Sequence, residues 1–139
     1  MTLPMGYRYS ATYAGIRKAA KDDLALIVSD TPASAAAVFT TNRVKAAPVL
    51  VCQRNLKATK GRAQAILINA GNANCATRSG DRVAEWTSAA AAAVLGIDTR
   101  LVLPASTGVI GVELDASLIA GAHPRLVRGL GADGFQKVA

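Results

Sequence analysis

An apolar run, a polar turn and an amphipathic helix follow one another in the middle of the chain, and this succession limits the possible folds. Residues 65–68, Ala-Ile-Leu-Ile, are typical of a buried strand. Residues 81–95 predict a helix, because apolar residues recur on one face and Gly96 stands where a C-terminal cap belongs. Trp86 lies on the apolar face and is assigned to the core. Aromatic residues make up only 4% of the chain, so the core is expected to consist of Ala, Val, Leu and Ile.

Further elements are predicted on both sides of this unit. Four apolar runs indicate strands, at residues 24–28, 35–41, 49–51 and 101–103. Asp-Thr-Pro at residues 30–32 is typical of a turn. Strands alternate with helices, so the sequence predicts an α/β or α+β fold with a single core, in one domain covering residues 1–139.

A second helix is expected to begin after Asp115 and to be disturbed at Pro124, because proline removes a hydrogen-bond donor and clashes with the preceding turn. His123 is the only histidine of the chain. Its position beside Pro124 favours an exposed helix residue over a catalytic base.

The chain carries a formal net charge of +7, and its densest basic cluster contains Arg54, Lys57, Lys60 and Arg62. The cluster is expected in a solvated surface loop. The alternative is a small basic domain that binds an anionic partner and does no chemistry. No aromatic residues alternate with these cations, so a platform for stacking nucleic-acid bases is not expected.

Several features that this sequence lacks bear on its cellular location and on the chemistry of its cysteines. Residues 1–10 contain Pro4 and Arg8 and no apolar signal core, which favours the cytoplasm. The longest apolar stretch, residues 89–95, is too short for a bilayer span, so no membrane partner is expected. Cys52 and Cys75 do not form a disulfide framework, and each is expected to be a small buried apolar residue. No metal-ligand cluster and no Ser-His-Asp set is visible, so neither metal nor cofactor is expected.

The strand at residues 65–68 ends in Asn-Ala-Gly-Asn-Ala-Asn, residues 69–74. Asparagine and glycine accept left-handed backbone geometry and can hydrogen-bond to their own main chain. One interpretation is a surface turn. The other is a site, because a long loop between a buried strand and a helix is a common place for one.

The next strand ends in Ser106, Thr107, Gly108. A threonine hydroxyl and a glycine N–H can converge on one oxygen, and glycine leaves room for the approach. This is the composition of an oxyanion hole, which stabilises the negative charge that develops on a carbonyl during acyl transfer. A plain turn has the same composition.

Four blocks taken together resemble the amino-terminal part of the ornithine acetyltransferase family, also called glutamate N-acetyltransferases. They occur in the family's order and at about its spacing. They are GYRYSATYAGIRKAAKDDLALIVSD, AAAVFTTNRVKAAPVL, ILINAGNAN and PASTGVIGVEL, at residues 6–30, 35–50, 66–74 and 104–114.

The resemblance implies a function in arginine biosynthesis. Family members move an acetyl group from N-acetylornithine to glutamate, and some also accept acetyl-CoA. The precursor cleaves itself before a threonine, which becomes the nucleophile at the start of a β chain. The family's oxyanion hole maps onto Thr107 and Gly108. The implied fold is a layered α/β sandwich that resembles amino-terminal-nucleophile hydrolases, and the implied assembly contains α and β chains.

The chain also departs from the family pattern. The self-cleavage motif is absent, so the chain is expected to be an incomplete, amino-terminal part of the α-chain region, inactive alone and with unpaired strand edges. Residues 75–80 read Cys-Ala-Thr-Arg-Ser-Gly, in a different order from the family's. A truncated product without function is therefore a further alternative.

Overall fold

The chain forms one four-stranded sheet with three longer helices packed against it. The computed structural model describes residues 3–139. The strands are β1 (Tyr7–Thr12), β2 (Leu24–Ser34), β3 (Arg62–Asn72) and β4 (Val102–Val109). The helices are α1 (Ala47–Ala58), α2 (Gly80–Leu95), α3 (Ala116–Arg128) and α4 (Phe135–Val138), with one 3₁₀ turn at Thr99–Leu101.

The sheet has the strand order β1-β2-β3-β4 and is mixed in direction. β1 pairs with β2, and β2 with β3, in antiparallel fashion, whereas β3 and β4 are parallel. A parallel pair needs a crossover connection, which α2 supplies here. The carboxyl ends of β3 and β4 therefore lie side by side at the same edge of the sheet.

The core lies between one face of the sheet and helices α2 and α3. Leucine, valine and alanine side chains of β2, β3 and β4 fill it, and the helices approach closely through Ala91, Ala92 and Ala122, which are at most 1% exposed. The expected aliphatic core is confirmed. Its main strand residues are Leu24, Leu26, Val28, Ala65, Leu67 and Val102.

Helix α1 covers part of the outer edge of β4. The side-chain amide of Asn55 donates to the Val102 carbonyl at 2.9 Å, and the Cys52 thiol lies 3.1 Å from the Pro104 carbonyl. Pro104 has no N–H to leave unpaired, so proline is tolerated at this edge position. β4 is an edge strand with no strand on its outer side, and along this stretch helix side chains bond two of its outward carbonyls.

The second face of the sheet carries Ile27, Ile66 and Leu103, which are paired in register across β2, β3 and β4. Ile66 is 37% exposed. Near β1 this face is covered by α4, where Phe135 stacks edge to face on Tyr9 with ring centroids 5.4 Å apart. The two faces thus differ, since the core face is buried under helices and the second face is apolar but partly open.

Two predicted strands are wrong. Residues 35–41 form no strand, and Val38 is fully exposed. Residues 49–51 lie in α1, which starts with Pro48 in its first turn and buries Ala47, Val51 and Asn55 at a spacing of four residues. Both a proline in the first turn and buried residues four apart are typical of a helix. The short apolar run at residues 49–51 is equally compatible with a strand, so the strand prediction overlooked these signals.

The predicted turn at residues 30–32 is also wrong, because β2 continues to Ser34 through a register irregularity between Val28 and Ala33. Proline is compatible with such a bulge, where no ladder N–H is needed. Strand β1 escaped prediction, although Tyr7, Tyr9 and an alanine alternate with polar residues along it.

The two predicted helices are present in the structure. α2 matches to within one residue, and Gly96 caps it at φ +68°. α3 begins after Asp115 as expected but continues through Pro124 to Arg128. Trp86 was assigned to the core, yet it is 49% exposed.

His123 was expected on the surface and is instead 2% exposed. Its Nε2 has no hydrogen-bond partner among residues 3–139. Burial lowers the pKa of His123 below its ordinary value of 6.5. α3 turns this side chain inward because the surrounding helix buries Ile119, Ala122 and Leu126 on the same face.

Acid should destabilise the fold through His123. The unfolded chain binds a proton near pH 6.5 while the folded chain resists it, so stability falls as the pH drops below that value. We expect a lower melting temperature at about pH 5 than at about pH 7.5, a range above the titration of ordinary carboxylates. His123→Leu should reduce this difference. An equal acid loss in the variant would show that His123 does not cause it.

Candidate functional site

The two polar motifs predicted from the sequence lie next to each other at the carboxyl ends of β3 and β4. In the parallel register Asn69 pairs with Ser106, Ala70 with Thr107, and Gly71 with the following glycine of β4. Ligands of α/β sheets commonly bind beyond the carboxyl ends of the strands. The two motifs are far apart in the sequence, and the parallel pairing of β3 with β4 brings them together.

The backbones of Gly71 and Gly108 are in very close contact. A Cβ atom on Gly108 would lie 2.2 Å from the carbonyl carbon of Gly71 and 2.4 Å from the Asn72 nitrogen. Gly108 also has φ +136°, which is unfavourable for other residues. Glycine is therefore required at residue 108 both by space and by backbone conformation.

Three asparagines at the end of β3 and just beyond it are buried, so the surface-turn interpretation is wrong for them. Asn69, Asn72 and Asn74 are each at most 5% exposed. The amide of Asn69 donates to the Asn72 carbonyl at 2.9 Å, and the amide of Asn72 donates to the Val112 carbonyl at 3.0 Å. These bonds hold the loop after β3 against the segment after β4.

Ser106 and Thr107 point to opposite faces of the sheet, as neighbouring strand residues do. The Ser106 hydroxyl donates to Asn69 Oδ1 at 2.5 Å, on the core side. Thr107 is exposed and pairs with Ala70, which places its side chain on the second face with Ile66 and Leu103. Ser106 therefore fastens the strand end, whereas the Thr107 hydroxyl makes no hydrogen bond within residues 3–139.

Glu113 ties the segment after β4 to the start of α2. Its carboxylate accepts from the Arg78 N–H at 2.8 Å, from the Ser79 N–H at 3.3 Å and from the Ser79 hydroxyl. The Ser79 hydroxyl bond and the two N–H bonds lower the pKa of Glu113. These contacts position the loop that follows Gly108.

The other candidate groups are not brought to this site. Both cysteines are half-buried rather than buried, and burial raises the pKa of Cys52 to about 11, which disfavours a thiolate nucleophile. Within residues 3–139 no group of three or more His, Cys, Asp or Glu side chains lies close enough to hold a metal ion.

The basic cluster is not the surface loop that the sequence predicted. Arg54 and Lys57 lie on α1, and Arg62 begins β3. The Arg54 guanidinium pairs with Glu85 at 2.6 Å, and the Arg62 guanidinium donates to the Pro32 carbonyl. Two of the four cations thus have partners within the chain, at its exposed surface, which weakens the case for an anion-binding patch.

Comparison with known proteins identifies the family. Residues 8–139 match the family model described as the ArgJ family, so the chain belongs to the ArgJ family. It is 50% identical over 129 residues to the arginine biosynthesis bifunctional protein ArgJ of Nitratidesulfovibrio vulgaris, and 47% identical over 137 residues to that of Geobacter sulfurreducens. These alignments cover 92% and 96% of the chain. The family resemblance expected from the four sequence blocks is confirmed.

The chain spans about a third of the length of these curated relatives, 33% and 34%. Among solved structures it is similar to ArgJ of Bacillus halodurans, with TM-score 0.81 and 36% identity over 86% of this chain and 62% of that one. It is also similar to ornithine acetyltransferase of Mycobacterium tuberculosis complexed with ornithine, with TM-score 0.90 and 35% identity over 98% and 74% of the two chains. The predicted fold of the ornithine acetyltransferase type is confirmed. None of the described helices has the length and apolar character to cross a membrane.

Gly108→Ala should destabilise the chain strongly. The new methyl group would overlap the Gly71 backbone, and backbone atoms yield less easily than side chains. We expect a loss of about 3 kcal/mol or more in the free energy of unfolding, measured by urea denaturation.

Gly111→Ala is the matched control, because Gly111 also has a positive φ, +78°, but has no atom within 4 Å of its added Cβ. It should cost only about 1–2 kcal/mol, the strain of the left-handed conformation. Equal losses in both variants would contradict the role given to the close contact of the two glycines.

Proposed function

We propose that the protein carrying this chain transfers an acetyl group from N-acetylornithine to glutamate in arginine biosynthesis, through an acetyl-threonine intermediate. In this proposal Thr107 and Gly108 form the oxyanion hole, and acetyl-CoA is a second acetyl donor. The observation that carries the proposal is the exposed Thr107-Gly108 pair at the carboxyl end of β4, in a chain of the ArgJ family.

The strand geometry supports Gly108 as a donor. In a strand the N–H and C=O of one residue point to the same side, and the side alternates from residue to residue. The carbonyls of Val102 and Pro104 point outward to α1, whereas the Val109 carbonyl accepts from the Ala73 N–H on the β3 side. The same alternation directs the Gly108 N–H away from β3, where it is free for a ligand oxygen.

The rigidity of the strand end supports the same function. An oxyanion hole is effective when its donors are already in position before charge develops. The contact between Gly71 and Gly108 restricts the backbone, and the Ser106–Asn69 hydrogen bond holds the residue before Thr107. The donors would then need little rearrangement when the tetrahedral intermediate forms.

The reaction requires a nucleophile that we assign to a threonine outside this chain. That hydroxyl would attack the acetyl carbonyl, the carbon–nitrogen bond to ornithine would break, and the hydroxyl proton would pass to the departing amine. The amine of glutamate would then attack the resulting ester, the carbon–oxygen bond to threonine would break, and a proton from the amine would restore the threonine hydroxyl. In both steps the carbonyl oxygen becomes negative and would be held by Thr107 and Gly108. The proposed partner is the β chain released by self-cleavage, and this chain alone is expected to be inactive.

Thr107→Ala in the full-length protein tests the proposal. The variant removes one donor to the developing oxyanion, so kcat should fall about 100-fold or more with little change in KM. The measurement is the transfer of acetyl from N-acetylornithine to glutamate. Thr107 is exposed, so the melting temperature should be preserved.

Thr99→Ala serves as the matched control, because Thr99 is also exposed but lies in the 3₁₀ turn before β4. It should retain full activity. Normal turnover in Thr107→Ala would refute the oxyanion assignment. Absence of acetyl transfer in the unaltered full-length protein would refute the proposed reaction itself.

A further inference from the structure

A buried carboxylate that the acetyl-transfer proposal does not use lies close to the candidate site. Asp23, immediately before β2, is only 3% exposed. It forms no ion pair among residues 3–139. Burying a carboxylate without a counter-ion is costly unless hydrogen bonds compensate for the lost water. The hydrogen bonds of Asp23 therefore indicate what this buried group does.

Both oxygens of the Asp23 carboxylate accept main-chain hydrogen bonds from the loop between β1 and β2. The Ala14 N–H donates to Oδ1 at 2.6 Å, and the Arg17 N–H donates to Oδ2 at 2.9 Å. Hydrogen bonds to an ionised acceptor are about twice as strong as those between neutral groups. Asp23 thus fixes the backbone of residues 14–17, which belong to neither a helix nor a strand.

The main chain of Asp23 joins the end of β1 to the end of β3. Its N–H donates to the Thr12 carbonyl at 3.2 Å, and its carbonyl accepts from the Ala70 N–H at 2.8 Å. Ala70 is the residue that pairs with Thr107 across the two parallel strands. Asp23 is therefore bonded directly to the strand position beside one of the two proposed oxyanion donors.

The loop that Asp23 holds lies against Gly71. A Cβ on Gly71 would lie 2.8 Å from Arg17 Cγ, 3.3 Å from Ile16 Cγ2 and 3.5 Å from the Arg17 nitrogen. That nitrogen is the one that donates to the Asp23 carboxylate. Gly71 is also the strand partner of Gly108, in the close backbone contact described above. A continuous series of contacts thus runs from the Asp23 carboxylate to the proposed oxyanion hole.

Two kinds of role fit a residue with these contacts. A residue that serves stability alone would affect folding and leave the chemical step of the folded enzyme unchanged. A residue that positions the oxyanion donors would change turnover as well, because a displacement of about 1 Å in a site can cost about 100-fold in rate. The contacts of Asp23 end on residues 70 and 71, the β3 partners of Thr107 and Gly108, and this location favours the second role.

We propose that Asp23 is a positioning residue for acetyl transfer. Its carboxylate holds the loop after β1 against Gly71, so that Thr107 and Gly108 stay where the developing oxyanion meets them. Asp23 touches no substrate in this scheme and acts only through the two donors. The proposal rests on the proposed function, since it assigns Asp23 a role at the same site.

Asp23→Asn in the full-length protein is the first test, because it removes the charge with almost no change of shape. An amide has only one acceptor oxygen, so one of the two loop N–H groups loses its partner. We expect kcat for acetyl transfer from N-acetylornithine to glutamate to fall about tenfold or more, with KM within about twofold of the parent value. Circular dichroism verifies that the variant is folded at the assay temperature.

Asp98→Asn is the matched control for this variant. The Asp98 carboxylate also accepts from a main-chain N–H, that of Arg100 at 2.8 Å, but it lies just before the 3₁₀ turn that leads into β4. It is therefore at the opposite end of β4 from Thr107. Asp98→Asn should retain the parent kcat.

A double-mutant cycle with Thr107→Ala tests the route of the effect. Changes at residues that act through one site are not additive, whereas changes at independent residues are. Because Asp23 acts through Thr107 and Gly108, the factor by which Asp23→Asn lowers kcat should be at least about threefold smaller in the Thr107→Ala background. A role in stability alone would give the same factor in both backgrounds.

Ile16→Ala decides the question if Asp23→Asn does not fold. It shortens a side chain that contacts Gly71 and leaves the two bonds to the Asp23 carboxylate in place. We expect kcat to fall about threefold or more. Ile97→Ala is the matched control, because both isoleucines are partly buried against the same core and Ile97 follows the end of α2. It should retain the parent kcat.

Three outcomes would overturn the positioning role while acetyl transfer by the unaltered protein stands. They are a parent kcat in folded Asp23→Asn or in Ile16→Ala, an equal loss in the matched control, and the same factor in both backgrounds of the cycle. Absence of acetyl transfer in the unaltered protein would refute the proposed reaction, and the role of Asp23 with it. The assay of the unaltered protein thus separates the two failures.

Discussion

The close contact between the backbones of Gly71 and Gly108 is the constraint on which the site region depends. It forms because β3 and β4 are parallel neighbours and because Gly108 has no side chain to keep the two strands apart. A methyl group on Gly108 would overlap the Gly71 carbonyl. The polar loop after β3 and the segment after β4 are consequently held side by side, and the candidate site is built from them.

Buried asparagines hold the segments on either side of this contact in place. The side-chain amides of Asn69, Asn72 and Asn74 donate to three backbone carbonyls, those of Asn72, Val112 and Gly80. The end of β3 is thereby tied to the segment after β4 and to the start of α2. Thr107 extends from this region onto the open face of the sheet.

The fold could be predicted in part from local patterns. The helix over α2 and the strand at the centre of β3 were predicted because their periodicity and caps are encoded within a few residues. The strands predicted at residues 35–41 and 49–51 failed because short apolar runs look alike in strands and helices. The burial of His123 and the exposure of Trp86 depend on which elements pack against each helix. A local sequence pattern does not contain that information.

The sequence by itself determined the α/β class, the family and the choice of Thr107 and Gly108 as the candidate pair, because each of these depends on patterns within short segments of the chain. Only the tertiary structure decided that residues 69–74 lie against this pair and that α1 covers part of the β4 edge. These facts arise from strand pairing and helix packing between segments more than 30 residues apart. Neighbours of that kind are set by the packing of the whole core, not by the residues on either side in the chain.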